Sequence, residues 1–424
     1  MLLGVTYKMG DKMKNSQRGL ILSVLSISGL LYFIANFQRI AVPGAIFDLL
    51  EQELSVSAPY ITTFGAIFMY VYAIGQLITG VLVDRYGSMR VLSCGGIIFG
   101  LGCVLFPLSS YIPLMYLSRA LMGFGCSMFY LSFVKELKNL YADKDYGIAL
   151  SVMLFVGYLG GIIANAPFVF LMKFMSWREI LLVIAGVILI AIIVFHILLG
   201  KIKLPNINKE ITLNAMSFIK VLHNRHNRNL FSFACCNFGI SYVLQTIIGK
   251  KFLEDYCLFS VDKAAIVLSI MAIIAAFFNI INATVCKLCH NHRVMFLKGA
   301  SVVTFISLAI IFLLILFDIR SSFIAFVFCV IAGNASISSL LIPVIQHSNR
   351  EEIAVTAVSI MNFCFFMMVG ILGSLTGFLL NIHAPQRING ILVYGRESYL
   401  VLFGVFLVLS IFEMYKAAKL SNRY

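Results

Sequence analysis

The sequence predicts an all-α polytopic membrane protein, with twelve transmembrane helices in two pseudo-symmetric six-helix bundles. Three observations support this fold class: 61% of the 424 residues are hydrophobic, only 12% are charged, and long apolar runs recur along the chain. Soluble proteins are about 45–50% apolar and about 25% charged, so this chain has too few charges to cover a surface that faces water. We therefore expect lipid to contact much of its surface.

The apolar runs are continuous rather than alternating, which favours helices over the strands of a membrane barrel. A helix needs about 20 mostly apolar residues to cross a bilayer. The runs that meet this requirement predict spans at 19–47, 58–82, 91–109, 111–134, 147–172, 178–200, 229–252, 262–286, 295–317, 320–346, 353–381 and 395–416.

The basic residues predict the orientation of these spans. The 32 Lys and Arg residues lie mainly between the apolar runs, and most fall on one face if the N-terminus is cytoplasmic. Because cytoplasmic loops are enriched in Lys and Arg, we expect both termini to be cytoplasmic, in a bacterial inner membrane. The net charge of +14 then reflects topology and attraction to anionic lipid, and no nucleic-acid motif is present.

The longest polar stretch, residues 201–228, joins the sixth and seventh predicted spans. Paired repeats joined by a cytoplasmic linker are common in membrane transporters, so this stretch is a natural boundary. It divides the chain into an N-terminal tail at 1–18, a first bundle at 19–200, the linker at 201–228, a second bundle at 229–416 and a C-terminal tail at 417–424.

The short loop between the second and third spans contains Gly80, Asp84, Arg85, Gly87 and Arg90. It resembles the signature loop of the major facilitator superfamily, whose pattern is G-x-x-x-D-[RK]-x-G-[RK]-[RK]. The resemblance implies a carrier fold with a gating motif on the cytoplasmic side. We expect Gly80 to allow close helix contact, Gly87 to adopt a positive φ, and Asp84 to bond across the two bundles.

Two further segments bear on this resemblance. Arg119, followed by Gly123 and Gly125, resembles the family's fourth-helix pattern R-x-x-x-G-x-G. Because a buried arginine is costly, we expect it to face the interior and to find a partner there. The fifth span is glycine-rich, as in the family, but it lacks the G-P-x-x-G-G ending of drug:proton antiporters. That absence weakens the support for a drug-efflux function, which stays as an alternative.

The corresponding loop of the second bundle, residues 282–293, keeps only a basic end. It contains Cys286, Cys289, His290 and His292, which is a pattern compatible with c-type haem attachment or zinc. Haem attachment occurs on the outer side of the membrane, whereas the predicted topology puts this loop inside. We therefore interpret the cluster as a coincidence and predict no metal and no cofactor.

Arg39 is the strongest candidate for a solute contact, because it lies inside the first predicted span. An arginine at the bilayer centre costs about 2.5–3.5 kcal/mol even on the lenient insertion scale. An anionic solute would offset this cost through bidentate hydrogen bonds. The placement resembles the superfamily's organic-phosphate and organic-anion carriers, in which a first-helix arginine clamps the solute. A structural arginine, bonded to helix carbonyls or to an acidic neighbour, is the alternative.

Helical spacing selects companions for Arg39, because Tyr32 and Asn36 share its helix face. The resemblance would put a second clamp arginine near Tyr242, where none is present, so a two-arginine phosphate clamp is not predicted. Intramembrane polar residues are typical of solute sites and also of helix-packing contacts. The remaining candidates of this kind are Tyr72, Gln76, Tyr130, Tyr158, Asn165, Tyr242, Gln245, Asn279 and Asn362.

Coupling to an ion has weaker support, because the apolar cores contain almost no acidic residue or histidine. Asp48, at the predicted external end of the first span, is the best candidate for proton coupling, and a solvated residue at a helix end is its alternative role. Uniport or the exchange of one anion for another fits the scarcity of buried acids equally well.

The residues and the resemblance together predict a secondary active or facilitative carrier, not an enzyme, that moves a small polar solute by alternating access. An anion such as a carboxylate, a zwitterion and a solute that is not an anion all remain open. A drug or siderophore efflux pump, and a receptor or scaffold without transport, remain as alternatives. The expected partners are a small-molecule solute, membrane lipid and, if transport is coupled, protons. We expect a monomer and no nucleic-acid partner.

Overall fold

The computed structural model describes residues 15–141, 143–201, 215–289, 292–388 and 390–421. Most of the predicted N-terminal tail (1–14), residues 202–214 of the predicted linker (201–228) and the end of the C-terminal tail (422–424) lie outside the described residues. For clarity, residues 15–201 are called the first half and residues 215–421 the second half.

The first half contains eight α-helices and one short 3₁₀ turn, at Gly44–Ile46. The helices are α1 (Asn15–Ala41), α2 (Phe47–Leu54), α3 (Ala58–Tyr86), α4 (Ser88–Leu108), α5 (Ile112–Leu140), α6 (Asp143–Ile163), α7 (Ala166–Leu171) and α8 (Trp177–Leu199).

The described part of the second half has nine α-helices, a π-helical segment at Leu244–Ile248 and a small antiparallel hairpin. The helices are α9 (Ala215–His223), α10 (Arg225–Val243), α11 (Gly249–Asp255), α12 (Val261–Leu288), α13 (Arg293–Leu316), α14 (Phe323–Ala335), α15 (Ser338–His347), α16 (Glu351–Leu380) and α17 (Arg396–Ala418). The hairpin strands are β1 (Gln386–Ile388) and β2 (Ile391–Val393).

The predicted all-α polytopic class is confirmed. Within the described residues, 11 helical segments are long and apolar enough to cross a membrane, and Ala149–Ile163 of α6 adds a shorter apolar helix. Since successive crossings alternate in direction, α1 begins and α17 ends on the same face, which we call the termini face. The opposite face, which carries α2, α11 and the hairpin, is called the distal face.

Four of the predicted spans are interrupted rather than continuous. The first ends at Ala41, before Pro43, which has no N–H to donate to a helix. The fifth breaks between α6 and α7, where Pro167 follows. The seventh contains the π-helical segment. The tenth divides at Ser336 and Ile337, where the Asn282 amide donates to the Gly333 and Ser336 carbonyls at 3.1 and 2.9 Å.

The two halves meet closely where α3 packs along α16. The Tyr70 hydroxyl lies 3.1 Å from the Ser374 hydroxyl across this contact. A Cβ atom at Gly377 would come within 2.1 Å of the Thr62 hydroxyl oxygen, so the two helices approach at a distance that only glycine permits there. This seam places the middles of α3 and α16 beside the end of α1.

Candidate functional site

Arg39 lies at the meeting point of the two halves. Its guanidinium carbon is 5.7 Å from the ring centre of Tyr72, 5.6 Å from that of Tyr242 and 5.6 Å from that of Phe366. Tyr72 belongs to the first half, and the other two rings belong to the second. Such distances are within the range of cation–π attraction. Three aromatic faces from both halves thus surround one cation, and we call this group the aromatic cage.

The guanidinium is only partly bonded within the protein. One terminal nitrogen of Arg39 donates to the Asn36 side-chain oxygen, three residues earlier on the same helix. The Arg39 Nε is buried and has no hydrogen-bond partner. Among the described residues, no carboxylate forms an ion pair with Arg39. Buried guanidinium donors without partners are costly, so this group retains capacity for an acceptor.

Two further predicted residues of the first half extend the cage wall. The Tyr32 ring stacks on that of Tyr130, with ring centres 6.5 Å apart. The Asn36 amide nitrogen donates to the Tyr32 carbonyl at 2.8 Å, which fixes the amide oxygen toward Arg39. On α3, the Gln76 amide donates to the Tyr72 hydroxyl at 2.8 Å. These bonds position Arg39 and Tyr72 from their own helices.

The second half contributes through a distorted helix. Tyr242 lies two residues before the π-helical segment, which contains the buried Gln245. Mid-helix π-segments are frequent at functional sites because they redirect side chains. Phe366, which pairs edge-to-face with Tyr72 at 4.6 Å, lies one helical turn beyond Asn362 on α16. Tyr242 lies where the resemblance would put a second arginine, and this position therefore carries an aromatic ring that faces Arg39.

Tyr158 and Asn279 meet across the two halves, where the Asn279 amide donates to the Tyr158 hydroxyl at 3.2 Å. The buried Asn279 oxygen has no partner. Asn165 does not continue the helix face that carries Tyr158, because α6 ends at Ile163. The Asn165 amide instead donates to the Gly161 carbonyl of its own chain at 3.0 Å.

A buried group of charges joins the two halves at the distal face. The Lys251 ammonium, with no exposed side-chain surface, lies 2.5 Å from Asp48, 3.7 Å from Glu51 and 3.1 Å from Asp255. It also donates to the Leu392 carbonyl of the hairpin at 2.5 Å. We call Lys251, Asp48, Glu51 and Asp255 the distal cluster.

Tyr394 extends the distal cluster. Its hydroxyl donates to Glu51 at 2.6 Å, and its backbone N–H donates to Asp255 at 3.0 Å. Burial raises the pKa of the Glu51 carboxyl to about 7, although Lys251 and the Tyr394 hydroxyl act in the opposite direction. Asp48, expected at a solvated helix end or in coupling, is thus part of an interhalf ion-pair network.

Arg119 has a different environment from Arg39. It is fully buried, and its nitrogens donate to the carbonyls of Phe64, Gln38 and Val42 at 3.0, 3.0 and 2.9 Å. The end of α1 leaves such carbonyls without helical partners. The break therefore accounts for the Gln38 and Val42 carbonyls, whereas the Phe64 carbonyl lies within α3.

The signature loop adopts a geometry that differs in part from our expectation. Gly87 has φ +89°, as the tight turn requires. A Cβ atom at Gly80 would meet no heavy atom within 4 Å, so the expected close helix contact is wrong for this conformation. Asp84 pairs with Lys135 of the same half, and among the described residues it forms no ion pair with the other half. Arg85 lies over the Tyr86 ring, and Arg90 is exposed.

Among the described residues, the cysteine and histidine cluster near α12 does not form a metal-binding site. Cys286 is buried and Cys289 is exposed. His290 lies outside the described residues. Within the described chain, no group of three His, Cys, Asp or Glu side chains could hold a metal ion.

Comparison with known families decides the identity of this architecture. The family model of the Major Facilitator Superfamily matches residues 28–374. The chain belongs to the Major Facilitator Superfamily. It is accordingly a transmembrane transporter, as its signature loop indicated.

Similarity to individual members of the superfamily is more distant. One relative, described as the probable sulfoacetate transporter SauU of Cupriavidus necator, is 24% identical over 164 residues, or 39% of this chain. The match spans only 38% of that relative's length.

Solved structures share the fold at low sequence identity. A bacterial homologue of the human lysosomal transporter Spinster, in an inward-facing and occupied conformation, has a TM-score of 0.73 at 15% identity, over 96% of this chain and 98% of that chain. A POT family transporter in complex with 5-aminolevulinic acid has a TM-score of 0.74 at 12% identity, over 96% and 97%.

Proposed function

We propose that this transporter moves a small organic anion by alternating access, and that Arg39 binds the anion. The observation that carries the proposal is the Arg39 guanidinium, which lies between aromatic rings of both halves with an unpartnered Nε. An intramembrane cation of this kind needs a compensating negative charge, and among the described residues it has no carboxylate partner. A carboxylate or sulfonate would supply that charge and accept two parallel hydrogen bonds.

The similar protein from Cupriavidus necator supports an anionic solute, because its description names sulfoacetate. A sulfonate and a carboxylate both present planar or tripodal oxygens that match a guanidinium fork. The aromatic cage would enclose the short carbon chain between such groups. We propose a carboxylate or sulfonate of low molecular weight as the solute class.

The distal cluster supports alternating access. Asp48 and Glu51 of the first half bind Lys251 of the second, so the distal face is closed in this conformation. Access from the distal face requires these ion pairs to break while the two halves move apart. With both termini cytoplasmic in a bacterial inner membrane, this conformation would be the one closed toward the outside. We further propose that the transporter acts as a monomer.

Substitution of Arg39 tests the solute site. Binding of sulfoacetate, acetate, phosphate and alanine to purified protein should be measured by calorimetry, followed by uptake into proteoliposomes. We expect at least one of the anions to bind, and Arg39→Ala to weaken it at least about tenfold, because charge-assisted hydrogen bonds are lost. Arg39→Lys keeps the charge without the guanidinium fork, so its affinity for the anion should lie between that of the unmodified protein and that of Arg39→Ala.

Arg320→Gln is the matched control, because Arg320 pairs with Asp318 at the exposed distal surface. It should bind and transport as the unmodified protein does. Anion binding that is unchanged in Arg39→Ala would refute the proposed site. Uptake of lipophilic cations, with no anion bound, would instead support the efflux alternative.

A further inference from the structure

Glu413 is a carboxylic acid buried inside the second half, away from Arg39. It lies on α17, five residues before the end of that helix, and its exposed fraction is 0%. The sequence contained this acid within the last predicted span, yet the solute site and the distal cluster make no use of it. Ionisable residues within membrane-spanning segments are costly and are functional by default.

A hydrogen-bond network of three uncharged polar residues, from three other helices, reaches the carboxyl. The Asn237 amide of α10 donates to the Glu413 Oε1 at 3.0 Å and to the Thr304 hydroxyl of α13 at 2.9 Å. The Asn334 amide of α14 donates to the same hydroxyl at 2.8 Å. Glu413 is therefore held in a defined position by a hydrogen-bond network rather than by chance packing.

The network contains two buried oxygen atoms with unused capacity. The Glu413 Oε2 and the Asn237 Oδ1 are both buried and have no hydrogen-bond partner. Asn237 is 2% exposed. Buried polar atoms of this kind are uncommon, and each requires an explanation such as a bound ion or proton.

No cation in the described part of the chain neutralises the carboxyl. Among the described residues, Glu413 forms no ion pair. The titratable group near it on α10 is the Cys235 thiol, which donates to the Ser232 carbonyl. The helices α13 and α14 present uncharged Thr304 and Asn334. On its own helix, the Lys416 ammonium lies over the Phe412 ring instead.

We propose that Glu413 is a proton-binding site, whose buried carboxyl is held in its protonated form. The carboxylate takes up one proton and becomes a neutral acid, which removes the cost of an unpaired charge in a medium of low dielectric constant. A hard metal cation takes about six or more oxygen ligands, whereas two unpartnered oxygens are available here, so the chemistry favours a proton. This assignment does not depend on the solute that Arg39 binds.

Infrared spectroscopy of the full chain in lipid nanodiscs tests the proposal without any solute. The spectrum is recorded at about pH 8.5, where Glu51 is mostly ionised according to its own pKa. We expect a carbonyl stretching band of a protonated carboxyl group, which shifts in deuterated water. Glu413→Gln should lose this band, because the isosteric amide keeps the Asn237 contact but has no acid proton. Glu53→Gln, a substitution of an exposed acid, should retain it.

A second variant assigns the band even if Glu413→Gln does not fold. Asn237→Ala leaves the carboxyl in place but removes its hydrogen-bond donor, so the band should move to higher frequency. Absence of the band from the unmodified protein, or an unchanged band in Glu413→Gln, would overturn the proposal. A sodium-specific rise in melting temperature would overturn it as well. In that case sodium chloride would raise the melting temperature, choline chloride would not, and Glu413→Gln would abolish the rise, which would indicate a metal cation instead of a proton.

Discussion

Two arginines lie inside the membrane-spanning helices of the first half, and their partners differ. Arg119 donates to three backbone carbonyls, whereas Arg39 keeps a buried Nε without a partner and faces three aromatic rings. In the sequence both are costly intramembrane charges, so composition and spacing do not separate them. The end of α1 separates them, because it frees the Gln38 and Val42 carbonyls that Arg119 binds.

Substitution of Arg119 should therefore affect folding rather than solute affinity. Arg119→Ala leaves the Gln38 and Val42 carbonyls buried without a donor and removes a hydrogen bond to the Phe64 carbonyl, so we expect the free energy of unfolding to fall by about 3 kcal/mol or more. Arg119→Lys should lose less stability than Arg119→Ala, because its ammonium can still donate to part of the set of carbonyls that the planar fork binds. Denaturant unfolding in detergent measures both.

Arg90→Ala is the control for this experiment, because Arg90 is exposed and its removal should change stability by no more than about 0.5 kcal/mol. If Arg119→Ala unfolds as the unmodified protein does and still loses solute binding, the structural role that we assign to Arg119 is incorrect.

Residue-level prediction from the sequence succeeded where helix spacing alone decides a contact. Asn36 and Arg39, three residues apart, are hydrogen-bonded as partners on one face should be. Phe366 was missed because an apolar residue in an apolar run carries no signal. Glu413 was missed although it stood inside a predicted span, where its charge was the available signal.

Helix interruptions determine how the elements build the site, and they were the least predictable feature of the chain. Hydropathy reports that a run is apolar, but it does not report where a backbone hydrogen bond is replaced by a side-chain donor. Asn282 provides such donors at the break between α14 and α15, from a helix distant in sequence. Long apolar spans are predictable because lipid imposes them, whereas these breaks depend on tertiary partners.

The contact between the 3₁₀ turn and the π-helical segment offers a test at the level of elements. A Cβ atom at Gly44 would come within 2.5 Å of the Thr246 carbonyl oxygen, which belongs to the other half. Gly44→Val should therefore force the halves apart at the distal face. We expect spin labels at Tyr111→Cys and Phe317→Cys, both 69% exposed, to report a longer distance by electron resonance, in a background without native cysteines.

Two other glycines serve as controls for this wedge. Gly160→Val places its side chain against the Phe33 carbonyl within the first half, where a Cβ atom would be 2.2 Å away, so it should lower stability without lengthening the label distance. Gly186→Val meets open space and should change neither. A Gly44→Val protein that folds and keeps the original label distance would show that this contact does not hold the distal face closed.

At the scale of the whole molecule, the distal cluster links the conformation of the protein to pH. Three carboxylates surround the Lys251 ammonium, so negative charge exceeds positive charge within this buried group. Burial raises the pKa of Glu51 from 4.5 to about 7 while the distal face is closed. When the face opens, water should return that pKa toward its ordinary value, so the closed state binds the proton more tightly.

The sign of the pH dependence follows from this difference. Protonated Glu51 favours the closed distal face, so the stabilisation is complete below about pH 4.5 and is lost as the pH rises through about 7. Within that window, the ratio of closed to open molecules should fall by up to tenfold per pH unit. The label pair at Tyr111 and Phe317 measures this ratio directly, and the fraction with the longer distance should grow between about pH 5 and 7.5.

Glu51→Gln removes one titrating group while keeping a neutral side chain of the same size, so its closed fraction should fall less steeply with rising pH than that of the unmodified protein. Glu53→Gln, on the exposed side of α2, should keep the pH dependence of the unmodified protein. If Glu51→Gln opens as steeply as the unmodified protein when the pH rises, another acid must control the distal face, since Asp48 and Asp255 also bind Lys251. Closure that strengthens with rising pH would contradict the assignment altogether, because a carboxyl with a raised pKa can only favour closure in its protonated form.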